Sequence, residues 1–171
     1  MAEPASDLFD LSGGKLLTFM IENQEYGIKI LAAREVVGMA TIDPIPQTPN
    51  FMKGIINLRG KIIPVIDLRL KFKIDETADN KESCILVVNI EGKLTGTIID
   101  FLVGVVTIEK SDFEETPDLG SNIDTDYIEG IAKLGKRVII ILNMENILSN
   151  DELNLIHEEK QAAPAEKNLL A

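Results

Sequence analysis

The chain has 171 residues, with 28 acidic against 17 basic side chains and a net charge of −11 at pH 7. That balance argues against general nucleic-acid binding, which needs a positive field along the phosphates. Apolar residues make up 45% of the chain, but aromatics only 5% and Trp is absent, so the core must be assembled from Ile, Val and Leu.

Cys84 is the single cysteine and cannot form an intramolecular disulfide; it reads as a small buried thiol. No apolar run approaches the ~18 residues of a membrane span. The acidic N-terminus lacks the basic start and apolar centre of a signal peptide, which points to a cytoplasmic protein with no direct membrane insertion.

Residues 1–14 mix polar and small side chains, end in a Gly pair and read as a flexible leader. Lys15 to Glu22 predicts a strand, Asn23-Gln24 a turn, and Glu25 to Ile30 the antiparallel partner. Leu31 to Val37 predicts a short helical turn followed by a strand through Ile42. Pro44, Pro46 and Pro49 make the next stretch a stiff connector.

Two apolar β-branched runs follow, Ile55 to Leu58 and Ile62 to Ile66, separated by Arg59-Gly60-Lys61, and they predict a hairpin. Pro64 gives up a ladder donor, so its strand should be an edge or carry a bulge there. Asp67 is placed to cap a short helix over Leu68 to Phe72, and the charged run Lys73 to Glu82 separates the chain into two parts.

Ser83 to Glu91, Leu94 to Ile99 and Leu102 to Glu109 predict three more strands, and Lys110 to Asp126 a long exposed loop. A second hairpin spans Tyr127 to Asn143. Asn143 is placed to cap Met144 to Leu148, and Ser149…Glu152 is a capping-box pattern opening a helix over residues 149–157. Residues 158–171 read as a flexible tail.

The two hairpins superpose: Phe51 falls on Tyr127, Gly54 on Gly130, Leu58 on Leu134 and Lys61 on Arg137. Upstream, Leu17 to Glu22 falls on Leu86 to Glu91. The offset is about 69 residues upstream and about 76 in the hairpins, so one unit is used twice, with about seven extra residues in the second copy. A unit this small is marginal alone, so the copies must pack on each other. Short strands at close spacing make the fold all-β: two five-stranded barrel subdomains, over residues 15–72 and 83–148.

Catalytic material is sparse. His157, the one histidine, stands among Glu158 and Glu159 and reads as a solvated helix-end residue. The pairs Glu114-Glu115, Glu158-Glu159 and Asp124…Asp126 fall in predicted loops or tail without apolar flanks to raise a pKa. No spacing for a metal or a phosphate-cradling loop is present, so neither metal nor cofactor is expected. Asn57-Leu58-Arg59-Gly60 remains: it is either a soluble hairpin tip or a rigid turn presenting a planar five-donor group to a partner.

Glu25-Tyr26-Gly27-Ile28, Pro49 to Gly54, Ile56 to Gly60, Pro64 to Arg69 and Tyr127…Gly130 together resemble the CheW family of bacterial chemotaxis coupling proteins, in order from Lys15 to Leu155. Asn-Leu-Arg-Gly followed by Pro-x-x-Asp-Leu is the specific part. The resemblance implies two SH3-like five-stranded subdomains and no chemistry. It implies binding to the cytoplasmic tips of chemoreceptors and to the regulatory domain of the CheA histidine kinase, at receptor arrays on the inner face of the membrane.

The same domain also ends the kinase and occurs fused to a receiver. The length here leaves no space for either, which favours a stand-alone adaptor. Carried over by position, Arg59 matches the arginine of receptor coupling, Glu35, Gly54 and Asn57 lie on the same receptor-facing side, and Ala33 and Leu102 match apolar positions. Kinase-contact residues are not assigned. The competing expectation is a small β-barrel enzyme or ligand-binding domain with its site between the subdomains.

Overall fold

In the computed structural model the described residues are Phe9, 13–72, 82–115, 127–149 and Glu152. They form eleven strands and one short α-helix. In chain order these are β1 (Lys15–Ile21), β2 (Gln24–Lys29), β3 (Ala33–Gly38), β4 (Met52–Leu58), β5 (Lys61–Asp67), α1 (Leu68–Lys71), β6 (Cys84–Ile90), β7 (Lys93–Ile99), β8 (Phe101–Thr107), β9 (Phe113–Glu115), β10 (Ile128–Leu134) and β11 (Arg137–Leu142). Single 3-10 turns, Ile30–Ala32 and Lys110–Asp112, precede β3 and β9.

The strands build two sheets, in the orders β8-β1-β2-β11-β10-β9 and β3-β6-β7-β5-β4. Each sheet combines strands from both copies of the repeat. β2 joins β11 in parallel (Ile140 opposite Tyr26), and β5 joins β7 in parallel (Ile66 opposite Thr97). The contiguous subdomains expected over 15–72 and 83–148 are therefore not how the chain divides: the copies exchange hairpins. Parallel joins need long connections, and the segments between β2 and β11 and between β5 and β7 supply them.

Alternation along the exchanged strands explains why they are apolar without interruption. In β6, Ile85 and Val87 enter the second sheet's own core, with Ile56, Ile63, Val65 and Ile98. Leu86, Val88 and Ile90 face the other way, into a central core shared with Leu17, Phe19, Ile21 and Ile28 of the first sheet. β11 divides likewise: Ile139 and Ile141 join Leu16, Ile108 and Ala132, while Leu142 enters the centre. Strands buried on both faces lose the polar half of the pattern.

Several local expectations change. The sixth strand of the first sheet, β9, pairs with β10 and occupies part of the predicted loop; residues 116–126 lie outside the described residues. β3 ends at Gly38 rather than Ile42. β5 is not an edge, and the bulge lies in its partner β4, between Met52 and Gly54. Pro64 is tolerated there because the parallel ladder with β7 begins only at Val65.

Among the caps, Asp67 accepts from the Arg69 N–H at 2.9 Å, and Asn143 accepts from Glu145 N at 2.9 Å. The Ser149…Glu152 box is reciprocal, with bonds of 2.9 and 3.1 Å. The rest of the 149–157 helix and the 158–171 tail lie outside the described residues. At the other end, Phe9 of the leader meets Phe113 edge-on at 5.8 Å.

Candidate functional site

The site grows from the turn between β4 and β5. Arg59 and Gly60 both take positive φ, 50° and 90°, as a two-residue turn matched to strand twist requires. Asn57 closes it, its Oδ1 accepting from Gly60 N at 2.8 Å. Arg59 is thereby carried out on rigid arms with 70% of its side chain exposed, and its Nη2 donates to Glu35 Oε1 on β3. This hydrogen bond holds the Glu35 carboxyl below its ordinary range and raises the guanidinium further. In water so exposed a pair fixes geometry more than it stabilises the fold.

Beside the pair a hollow of about 400 Å³ opens between β3, the turn and the start of β7. Leu58, Ile63 and Leu94 give it an aliphatic lining, and Arg34, Arg59, Lys61 and Glu35 its charges. Glu35, Asn57 and Arg59 thus come together around the turn. Gly54 is buried instead: with φ +145°, a Cβ there would stand 2.2 Å from the Asp43 carbonyl oxygen. It marks where the connector crosses β4, with Asp43 and Ile55 exchanging two backbone bonds of 2.9 Å. Ala33 packs half-buried against the central core. Leu102, 39% exposed, stands on β8 of the other sheet and does not line this hollow.

β8 is an edge strand that shows Phe101, Leu102, Val103 and Val105 to solvent at 37–57% exposure. Its counterpart in the second sheet, the edge strand β3, shows Val36. Apolar edges left open are docking surfaces or hazards.

Sequence reasoning did not find the charges that hold the sheets together. Asp100 is the single residue linking β7 in one sheet to β8 in the other. Its Oδ2 accepts from Glu22 N at 2.7 Å, and its Oδ1 lies 3.7 Å from Nη1 of the buried Arg69. Arg69 in turn forks onto Asp67 at 3.0 and 2.9 Å. Across the β2–β11 join, Arg137 forks onto Glu25 at 3.1 and 2.6 Å, and this bond holds the Glu25 carboxyl low against the opposing effect of burial. Arg34 was also missed, since it fell in a segment of ambiguous propensity. No cluster of three or more His, Cys, Asp or Glu is arranged to hold a metal among the described residues, and none of their helices is long and apolar enough to cross a membrane.

Two curled sheets with exchanged hairpins, a solid seam and open apolar edges define a paired SH3-like β-fold. The family described as CheW-like domain matches residues 15–152. A crystal structure of the scaffolding protein TtCheW from Thermoanaerobacter tengcongensis is similar at a TM-score of 0.75 and 40% identity, covering 81% of this chain and 94% of that one. Chemotaxis protein CheW of Helicobacter pylori is 36% identical over 138 residues, 80% of this chain and 82% of its own. Chemotaxis protein CheW of Klebsiella aerogenes is 33% identical over 144 residues, 84% and 87%. The chain belongs to the CheW-like domain family.

Proposed function

We propose that this protein is a non-enzymatic adaptor of bacterial chemotaxis, coupling the CheA histidine kinase to the cytoplasmic tips of chemoreceptors. Receptor control of kinase activity then passes through two protein interfaces held at a fixed mutual geometry. The observation that carries this reading is the open apolar edge of β8, Phe101 to Val105, in a member of a family whose relatives are named for chemotaxis. Aliphatic side chains on such an edge supply affinity for the apolar face of a receptor helix.

Arg59, steadied by Glu35, anchors the receptor-facing side; Asn57 closes the turn that presents it, Gly54 seats the connector on β4 behind it, and Ala33 and Leu102 add apolar contact. The kinase's regulatory domain takes a second surface. Two modest interfaces on one rigid body raise occupancy through effective concentration.

The rival reading, a ligand or enzyme site between the subdomains, meets a seam already filled by Phe19, Ile21, Ile66, Leu86, Ile90 and their neighbours, all buried. Binding of purified CheA regulatory domain and of a receptor-tip hairpin, separately and together, tests the proposal. A ternary complex is expected; binding to neither partner would refute it.

A further inference from the structure

The hollow beside Arg59 has a charge opposite to that of the molecule. The chain carries −11, yet Arg34, Arg59 and Lys61 meet here with Glu35 as the single carboxylate. Glu35 is already engaged by Arg59. Arg34 Nη1 donates only to the backbone carbonyls of Leu31 and Ala33, at 2.9 and 3.5 Å. Lys61 has no carboxylate partner among the described residues. Two positive charges are therefore left uncompensated around a floor of Leu58, Ile63 and Leu94.

We infer that this hollow is a docking subsite for an acidic segment of the partner protein, seating one aliphatic side chain on the floor and directing carboxylates to Arg34 and Lys61. The inference rests on the reading above that Arg59 faces a receptor hairpin, and it adds the chemistry of the contacting segment. Charge complementarity favours this occupant. An acidic partner is repelled by a molecule of net −11 and attracted at this locus, so the field selects orientation as well as contact. The floor selects a peptide over a simple anion, because a simple anion gains nothing from Leu58, Ile63 and Leu94. The hollow's volume, about 400 Å³, admits a branched aliphatic side chain together with flanking carboxylates.

The test is stopped-flow association of a receptor-tip hairpin with the full chain, from about 0.05 to about 0.5 M salt, over which screening shortens from more than 10 Å to a few ångströms. The double variant R34E/K61E, checked for an unchanged melting temperature, should associate about 10- to 100-fold more slowly than the wild type at low salt. That ratio should shrink about tenfold across the range as the local attraction is screened, so the variant gains more from added salt than the wild type does. Leu102→Ser should raise the dissociation rate and keep the slope. A hairpin with its Asp and Glu replaced by amides should bind wild type and R34E/K61E alike.

Wild-type rates and slope in R34E/K61E would overturn the inference while leaving the receptor reading standing. Failure of the wild type to bind the hairpin at any salt would overturn both. Glutarate alone perturbing the Leu58, Ile63 and Leu94 resonances as fully as the hairpin does would make the hollow a small-anion site and overturn the inference.

Discussion

Gly54→Ala separates a residue that builds the site from one that touches a partner. At φ +145° an L side chain is strained by about 1–3 kcal/mol. The added Cβ would stand 2.2 Å from Asp43 O, 2.7 Å from Asp43 C and 2.9 Å from Ile42 Cγ2, two of which are backbone atoms that cannot swing away. Relief requires the connector to lift off β4, breaking the two Asp43–Ile55 bonds at about 0.5–1.5 kcal/mol each.

The expected loss for Gly54→Ala is therefore about 2–6 kcal/mol, a large part of the 5–15 kcal/mol available to a domain. Gly60→Ala is the control: φ is also positive, at 90°, but a Cβ there meets nothing within 4 Å, so only a strain cost of about 1 kcal/mol is expected. Urea unfolding followed by circular dichroism gives both numbers. Equal midpoints for the two variants, or a fully stable Gly54→Ala chain that has lost only receptor binding, would refute the reasoning.

Arg59→Ala should leave the melting temperature unchanged, since the side chain is exposed, and weaken receptor-tip binding about 5- to 150-fold by calorimetry. Arg69→Met should destabilise by about 3–5 kcal/mol in urea, because Asp67 is left buried without its cation, whereas Asp100→Asn, which keeps an acceptor for Glu22 N, should cost less. Glu25 has its folded-state pKa lowered by Arg137 from an ordinary value of 4.5, so its contribution is present above that pH and lost as the pH falls through the lower, folded value. The stability gap between wild type and Glu25→Gln should accordingly narrow below about pH 4.5 in thermal melts; a constant gap counts against the pair. A chain ending before residue 83 lacks β6, β7 and β11 and should give an unfolded amide spectrum, while adding the complementary fragment should restore dispersion.

The hairpins, the caps at Asp67 and Asn143 and the Arg59 turn were legible because each is encoded within a few residues: β-branched arms, a Gly at positive φ, a carboxylate before a short helix and an amide before a turn, where residues 144–148 do not complete the expected helix. The repeat was legible too, and the structure extends it. Gly54 and Gly130, matched in sequence, both follow a bulge and both lie under a crossing backbone, Asp43 O in one copy and Glu114 O in the other. What could not be read was which hairpin joins which sheet. Ile139 meets Glu25 and Val65 meets Gly96 through parallel pairs whose partners lie in opposite copies, and strands buried on both faces carry no alternation to tell one sheet from the other. The Arg69 network escaped for a related reason, since Asp100 and Glu22 become its neighbours only after the sheets have packed.

Hairpin exchange bears directly on how such a protein could serve as an adaptor. If each copy folded as its own barrel, the candidate surfaces on β3–β4–β5 and on β8 would belong to separable bodies whose angle could drift. Here β8 hangs on β1, a strand of the first copy, and β5 hangs on β7, a strand of the second. Neither surface can shift as a unit without breaking a parallel join or the central core. That core also takes in Phe19, Tyr26, Phe72 and Tyr127, whose rings succeed one another at 6.2, 5.5 and 5.0 Å across the seam. Interiors packed in this way transmit displacement instead of absorbing it. Contacts made at the Arg59 turn and at the β8 edge are therefore held at one fixed mutual geometry on a single small body.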